Sequence, residues 1–238
     1  RGVSSWQRFE IIVIDNGSVE SATTEYLDSL VRGDTRTRVI RADVPFNWSR
    51  LNNLGAGQAR GNVLLFLNND TRVESPDWLQ SLAGFAKLPD VATVGGLLLF
   101  PDGTIQHSGV VVGMGGWADH VFRLQPTVHG IGPFVSPVLT RDVLAVTGAC
   151  TAIERSKFDE LGGFDEAFQI CGSDVELGLR AYREGRYNVV CCEARLIHFE
   201  SQTRTPNVPR SEVPSLAGRC CRPVLQPESL ADVDAPDA

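Results

Sequence analysis

The chain has 238 residues, of which 42% are apolar and 21% charged, enough for one large globular domain with a core of its own. Its formal charge of −7 and pI near 5.1 argue against a nucleic-acid partner held by its phosphates and against polybasic docking on anionic lipid. No stretch approaches the roughly 18 consecutive apolar residues of a membrane span, and the first residues lack the apolar core of a signal peptide, so a cytoplasmic protein is expected.

The six cysteines lack zinc-site spacing, since Cys150 and Cys171 stand alone while Cys191-Cys192 and Cys220-Cys221 are adjacent pairs. They read as reduced thiols, buried in strands or lying in a tail.

The first strong signal is the β-branched run at 10–14, a strand buried on both faces, followed by the polar Asp15-Asn16-Gly17-Ser18. Helical spacing of Ala22, Tyr26, Leu27, Leu30 and Val31 stops at Gly33, and 37–41 reads as a second strand. A helix over 49–60 and an apolar strand over 63–67 follow, and this alternation predicts an α/β sheet with crossover helices. Ser75-Pro76 supplies an N-cap and first turn for a helix carrying Trp78, Leu79, Leu82 and Phe85.

Beyond Val91 the texture changes. Runs at 94–100 and 104–112 flank Pro101-Asp102-Gly103, which has hairpin turn chemistry, and 117–137 is irregular. A strand is expected over 143–153, a short helix over 155–161, and an amphipathic helix over 174–184 with Val175, Leu179 and Tyr182 inward. Two short strands, 187–192 and 195–197, then end at His198. Residues 202–238 turn to Pro, Arg, Ser and Asp without periodicity, the composition of an irregular or disordered tail.

In open parallel sheets ligands bind beyond the carboxyl ends of strands, which places Asp15 and Asp70 on one edge. Asp70, closing Asn68-Asn69-Asp70, suits a hard divalent cation completed by diphosphate and water, and equally suits an Asx-rich turn. Asp174 opens its helix either as a proton acceptor from a substrate hydroxyl or as a plain N-cap. His198 is either a metal ligand or a buried structural histidine.

Seven ordered segments resemble family 2 glycosyltransferases: VIDNGS at 13–18, FNWSRLNNLG at 46–55, LFLNND at 65–70, PDGTIQHSG at 101–109, VTGAC at 146–150, GGFDE at 162–166 and LIHFES at 196–201. The resemblance covers roughly residues 8–204 and is nearest to rhamnosyltransferase-like and O-antigen-assembling members. It implies a GT-A fold: an α/β, three-layer α/β/α domain over 1–201 with a mostly parallel mixed sheet. A Rossmann-like nucleotide-binding part would occupy about 1–90 and an acceptor part about 91–201.

Carried over residue by residue, the resemblance makes Asp15 a contact to the nucleoside. It puts Asn52, Asn53 and Arg60 on a helix lining the diphosphate, and Asn69 near the ribose or donor sugar. Asp70 and His198 become ligands of Mn2+ or Mg2+, and Asp174 the general base of an inverting transfer. The implied partners are a nucleoside-diphosphate sugar and a glycan or lipid-linked acceptor, the latter bringing the protein to the inner face of the cell membrane. Three departures accompany it. The chain begins just before the strand ending at Asp15, so the family's earlier strand and helix are expected to be missing. CGSDVE at 171–176 carries Ser173 and Glu176 where the family has other residues, and the sequence past Arg204 does not follow the family.

Three rival readings compete. GMGGWA at 113–118 satisfies the dinucleotide fingerprint but is followed by Pro126, histidines and glycines rather than a helix. A nucleotidyltransferase would need a Gly-rich basic loop near the N-terminus, which is absent from the sequence. A non-catalytic scaffold that has lost donor binding would ignore nucleotide and metal alike.

Overall fold

The computed structural model describes residues 4–114, 118–127 and 136–199; the expected tail at 202–238 and much of the irregular 117–137 segment lie outside them. A seven-stranded sheet runs in the order β3 (Val63–Leu67), β10 (Cys150–Glu154), β5 (Val91–Leu99), β11 (Tyr187–His198), β4 (Thr71–Val73). β6 (Ile105–His107) joins beside β5 and β9 (Arg141–Val143) beside β11. The sheet is mixed, but it is not mostly parallel: β11 runs parallel to β5, and its other pairings are antiparallel.

Helices cover both faces, which gives the expected three layers. α3 (Trp78–Ala86) buries Trp78, Leu82 and Ala86 against Val94, Leu98, Cys191 and Leu196. On the other face α2 (Trp48–Gln58), α4 (Arg155–Glu160) and α5 (Ser173–Arg183) close over Leu64, Phe66 and Ile153. Phe66 sits in an aromatic cluster, 5.2 Å from Phe158 and 4.8 Å from Phe164 between ring centroids. Burial from two sides explains why β5 is almost wholly apolar, with Thr93 its one polar residue. All nine residues of β5 are buried.

β1 (Ile11–Asp15) and β2 (Thr37–Arg41), joined by α1 (Ser21–Gly33), pair in parallel as a separate two-stranded sheet. The single continuous sheet expected from the alternation is therefore divided between β1 and β3. α1 has an apolar stripe but no buried residue.

Other boundaries differ for identifiable reasons. The strand expected over 143–153 is two strands, because β9 pairs with β11 whereas β10 pairs with β3 and β5. Residues 144–149 must leave the ladder to connect them, and that connection carries Gly148 to the site described below. β11 is one strand where two were expected, since a register shift between Cys191 and Arg195 absorbs the extra residues. α3 begins after Asp77 rather than Ser75, whose hydroxyl instead accepts the Arg195 N–H at 3.0 Å. Tyr182, expected inward, is 46% exposed on α5. The hairpin at Pro101-Asp102-Gly103 forms as expected, with Gly103 at φ 84° and β5 paired to β6. After β7 (Val110–Val112) comes the antiparallel β8 (Ala118–His120), a strand where a dinucleotide fold requires a helix, which removes the dehydrogenase reading. Cys150, Cys191 and Cys192 are buried free thiols.

Candidate active site

The loop after β3 and the end of β11 meet. Asn68 donates its backbone N–H to Ala149 at 3.0 Å, Phe199 donates to the Asp70 carbonyl at 2.9 Å, and the Thr71 hydroxyl donates to the Asn68 carbonyl at 2.8 Å. Pairing of Thr71 with His198 then sets Asp70 beside the imidazole, with His198 Nε2 3.1 Å from Asp70 Oδ1. The other ring nitrogen, Nδ1, lies 2.6 Å from Gln106 Oε1, an oxygen that can only accept, so the ring proton is on Nδ1. In the neutral ring Nε2 would present a lone pair to a carboxylate oxygen that is buried and has no hydrogen-bond donor. The Asn68 amide lies 3.4 Å from the same nitrogen.

The two atoms could hold a cation between them. Adjacent ligands of an octahedral cation with bonds of about 2.1 Å stand about 3.0 Å apart, and the observed pair matches. Among the described residues no group of three or more His, Cys, Asp or Glu side chains converges, so protein would supply two ligands and leave positions for phosphate oxygens or water.

His198 and Asn68 line a cavity of about 230 Å³ whose wall also includes Trp48, Gln106, His107, His120, Gly148 and Asp174. Asp174 stands in the first turn of α5, entered through Gly172 at φ 87°, a left-handed position suited to glycine. Its carboxylate is fixed by backbone: the Gly148 N–H donates to Oδ2 and the Val175 N–H to Oδ1, each at 2.8 Å. Gly148 has no room for a side chain, because a Cβ would lie 2.8 Å from the Trp48 ring. Trp48 is held as the first residue of α2 by Asn47, whose side chain accepts the Arg50 N–H, and by its own N–H to Gln169 at 2.7 Å.

The departures around Asp174 resolve locally. Ser173 is buried, and Glu176 turns away from the cavity to pair with Arg180 at 2.5 Å, which in turn reaches the carbonyls of Leu161 and Gly163.

Behind the cavity, His107 Nε2 accepts the Thr147 N–H at 3.4 Å, so its proton is on Nδ1, 2.8 Å from Nδ1 of His120. Complete burial, followed by repulsion from Arg141 and from the protonated forms of His120 and His198, holds the His107 pKa well below its ordinary value. Asn68, Gln106, His107, His120, Trp48 and Gly148 were not singled out by sequence. All but His120 lie in quoted motifs, and consecutive polar side chains on the buried strand β6 were the available signal.

Asp70 reaches the cavity through His198 rather than lining it, and Asp15, Asn52, Asn53, Arg60 and Asn69 do not line it either. Asp15 ends β1, nearly buried, with Oδ1 accepting the Ser18 N–H at 3.0 Å and Oδ2 facing Arg41 at 3.0 Å. Hydrogen bonding from Ser18, with Arg41 nearby, lowers its pKa against the opposing effect of burial. Asn52 donates to the Trp48 carbonyl within α2, and Asn69 is exposed in the loop. Asn53 clamps the loop before α5: it donates to the Phe164 carbonyl and accepts the Phe164 N–H, both at 2.9 Å.

Arg60 is misplaced by the sequence reading. α2 ends at Gln58, and the Arg60 N–H bonds Glu10 at the amino end of β1. It stands before β3 while Asp70 stands after it, a separation of about 16 Å for a five-residue strand.

A mixed sheet between helical layers, with a carboxylate–imidazole pair and a second carboxylate at one end, defines a GT-A glycosyltransferase fold. Solved structures share it: GalNAc-T7 with UDP, GalNAc and Mn2+ superposes with a TM-score of 0.65 at 21% identity, over 84% of this chain and 39% of that one. A Pyrobaculum calidifontis mannosyltransferase, PcManGT, in complex with GDP-Man and Mn2+ gives 0.61 at 13% identity, over 85% and 51%. The family described as Glycosyl transferase family 2 matches residues 3–162, and the chain belongs to it. Among curated relatives, the O-antigen biosynthesis protein RfbC of Myxococcus xanthus is 47% identical over 84% of this chain and 16% of its own length. The protein y4gI of Sinorhizobium fredii is 42% identical over 85% and 22%. The chain therefore spans about a sixth to a fifth of these relatives. No helix among the described residues is long and apolar enough to cross a membrane.

Proposed function

We propose that this domain transfers a sugar, with inversion, from a nucleoside-diphosphate sugar to a hydroxyl of a polysaccharide or lipid-linked glycan, in the assembly of a bacterial surface polysaccharide. The observation that carries this reading is that His198, 3.1 Å from Asp70, and Asp174 line one cavity. The similarity to an O-antigen biosynthesis protein supports this acceptor class.

Asp70 and His198 would hold a divalent cation, Mn2+ in preference to Mg2+ because one ligand is an imidazole nitrogen. Bound there, the cation would neutralise charge building on the departing diphosphate. Asp174 would accept the proton of the acceptor hydroxyl as its oxygen attacks the anomeric carbon, and the backbone N–H groups of Gly148 and Val175 keep the carboxylate oriented for it. Trp48, against Gly148, gives the cavity an apolar wall suited to a sugar ring. Asp15, near-buried at the end of β1, would contact the nucleoside, and Asn69, exposed in the metal loop, the donor sugar.

Asp174→Asn should abolish transfer while leaving nucleotide binding intact, whereas Asp70→Ala should weaken metal-dependent nucleotide binding as well. Transfer assays paired with calorimetry separate the two, and full transfer by Asp174→Asn would remove that residue from the base role.

A further inference from the structure

Resting on the reading of Asp70 and His198 as cation ligands, we propose that Gln106 is a positioning residue that fixes the His198 tautomer and so turns Nε2 into a ligand. A neutral imidazole carries one proton and one lone pair, and which nitrogen holds which is set by the partner of the other. Here Gln106 Oε1, 2.6 Å from Nδ1, takes the proton and assigns the lone pair to Nε2. That nitrogen is the one facing Asp70 at 3.1 Å and Asn68 at 3.4 Å.

The arrangement is built rather than incidental. Gln106 is 4% exposed in β6, which is pinned to β5 by the pairings Leu98 with His107 and Leu99 with Ile105. His198 is 9% exposed at the end of β11, which pairs with the other edge of β5. The two side chains therefore reach one another from strands on either side of β5, so that neither drifts relative to the other. The tight Pro101-Asp102-Gly103 turn, closed by Phe100 N–H to Thr104 at 2.8 Å and reverse at Gly103, sets the phase that aims Gln106 there. Outer partners of this type change metal affinity by about 10–100-fold when removed.

The test uses the 238-residue chain and Mn2+ alone as probe, its binding followed by electron paramagnetic resonance, together with 15N NMR of the His198 ring without metal. In the wild type the ring should be protonated at Nδ1. Gln106→Met should redistribute that tautomer and weaken Mn2+ binding about 10-fold or more, while Gln106→Glu, which keeps an acceptor, should retain both. A His198 protonated at Nε2 in the wild type overturns the proposal, as does Gln106→Met binding Mn2+ as tightly as wild type while His198→Ala does not. If His198→Ala also binds like wild type, the cation site itself is wrong and this inference falls with it. A loss of thermal stability common to both Gln106 variants, with Mn2+ affinity unchanged, would assign Gln106 to packing and refute it.

Discussion

Acid should destabilise this protein through one buried imidazole, and the size of the effect can be worked out. His107 is fully buried, accepts the Thr147 N–H on one nitrogen and meets His120 on the other. Its folded pKa lies well below the ordinary 6.5, first through burial and then through His120, Arg141 and His198. The unfolded chain takes up a proton near 6.5 and the folded one does not, so stability is full above that pH and declines below it. The slope is about 1.4 kcal/mol per pH unit for a single group. Between pH 7 and pH 5 the loss from His107 reaches at most about 2 kcal/mol, the limit in which the folded imidazole takes up no proton. Gln at this position keeps an acceptor for Thr147 and a donor for His120 without the titration. Urea unfolding of wild type and His107→Gln at both pH values measures the effect of removing this imidazole. The variant should lose up to about 2 kcal/mol less than wild type over that interval. Equal losses in the two proteins would refute the assignment of His107 as a buried neutral imidazole.

Two further outcomes follow from the cavity and its surroundings. Gly148→Ala should cost about 1–3 kcal/mol in urea unfolding, because the new Cβ would stand 2.8 Å from the Trp48 ring, and Trp48→Phe should recover part of that loss in the double variant. Arg60→Ala should leave nucleotide affinity unchanged by calorimetry, since its backbone is anchored to Glu10 at the far end of β1. A loss of tenfold or more there would return Arg60 to the donor site.

Much of this was legible in the chain, for reasons visible in particular residues. Unbroken apolar runs ending in Asp15 and in Asn68-Asn69-Asp70 located two strands and their carboxyl ends, although β1 is only half-buried over Ile11–Ile14 and Leu67 of β3 is exposed. The geometry of Asp70, His198 and Asp174 was open to ordered motifs, though no single one of those residues distinguishes a ligand or base from a turn or cap. What stayed hidden depends on pairing between distant strands. The connection 144–149 carries apolar residues like a strand, yet β9 and β10 have different partners, so it leaves the ladder and delivers Gly148 to Asp174. Gln106 and His107 are adjacent polar residues whose partners, His198 and His120, are set by the β5–β6 and β7–β8 pairings rather than by anything nearby in sequence. Arg60 was misplaced because helical spacing continues past the true end of α2 at Gln58, which Ala59 terminates in extended backbone.

The central claim is that this domain binds a nucleoside diphosphate through a divalent cation held at Asp70 and His198. A thermal-shift titration with UDP, dTDP and GDP, each with Mn2+ and again with a chelator, tests it directly, because a ligand bound to the folded state at about 100 times its dissociation constant adds about 2.7 kcal/mol of stability. Stabilisation by one of these nucleotides that depends on Mn2+ and disappears in Asp70→Ala is the predicted result. The absence of a shift with any of them, or a shift that persists in chelator and in Asp70→Ala, would contradict the account.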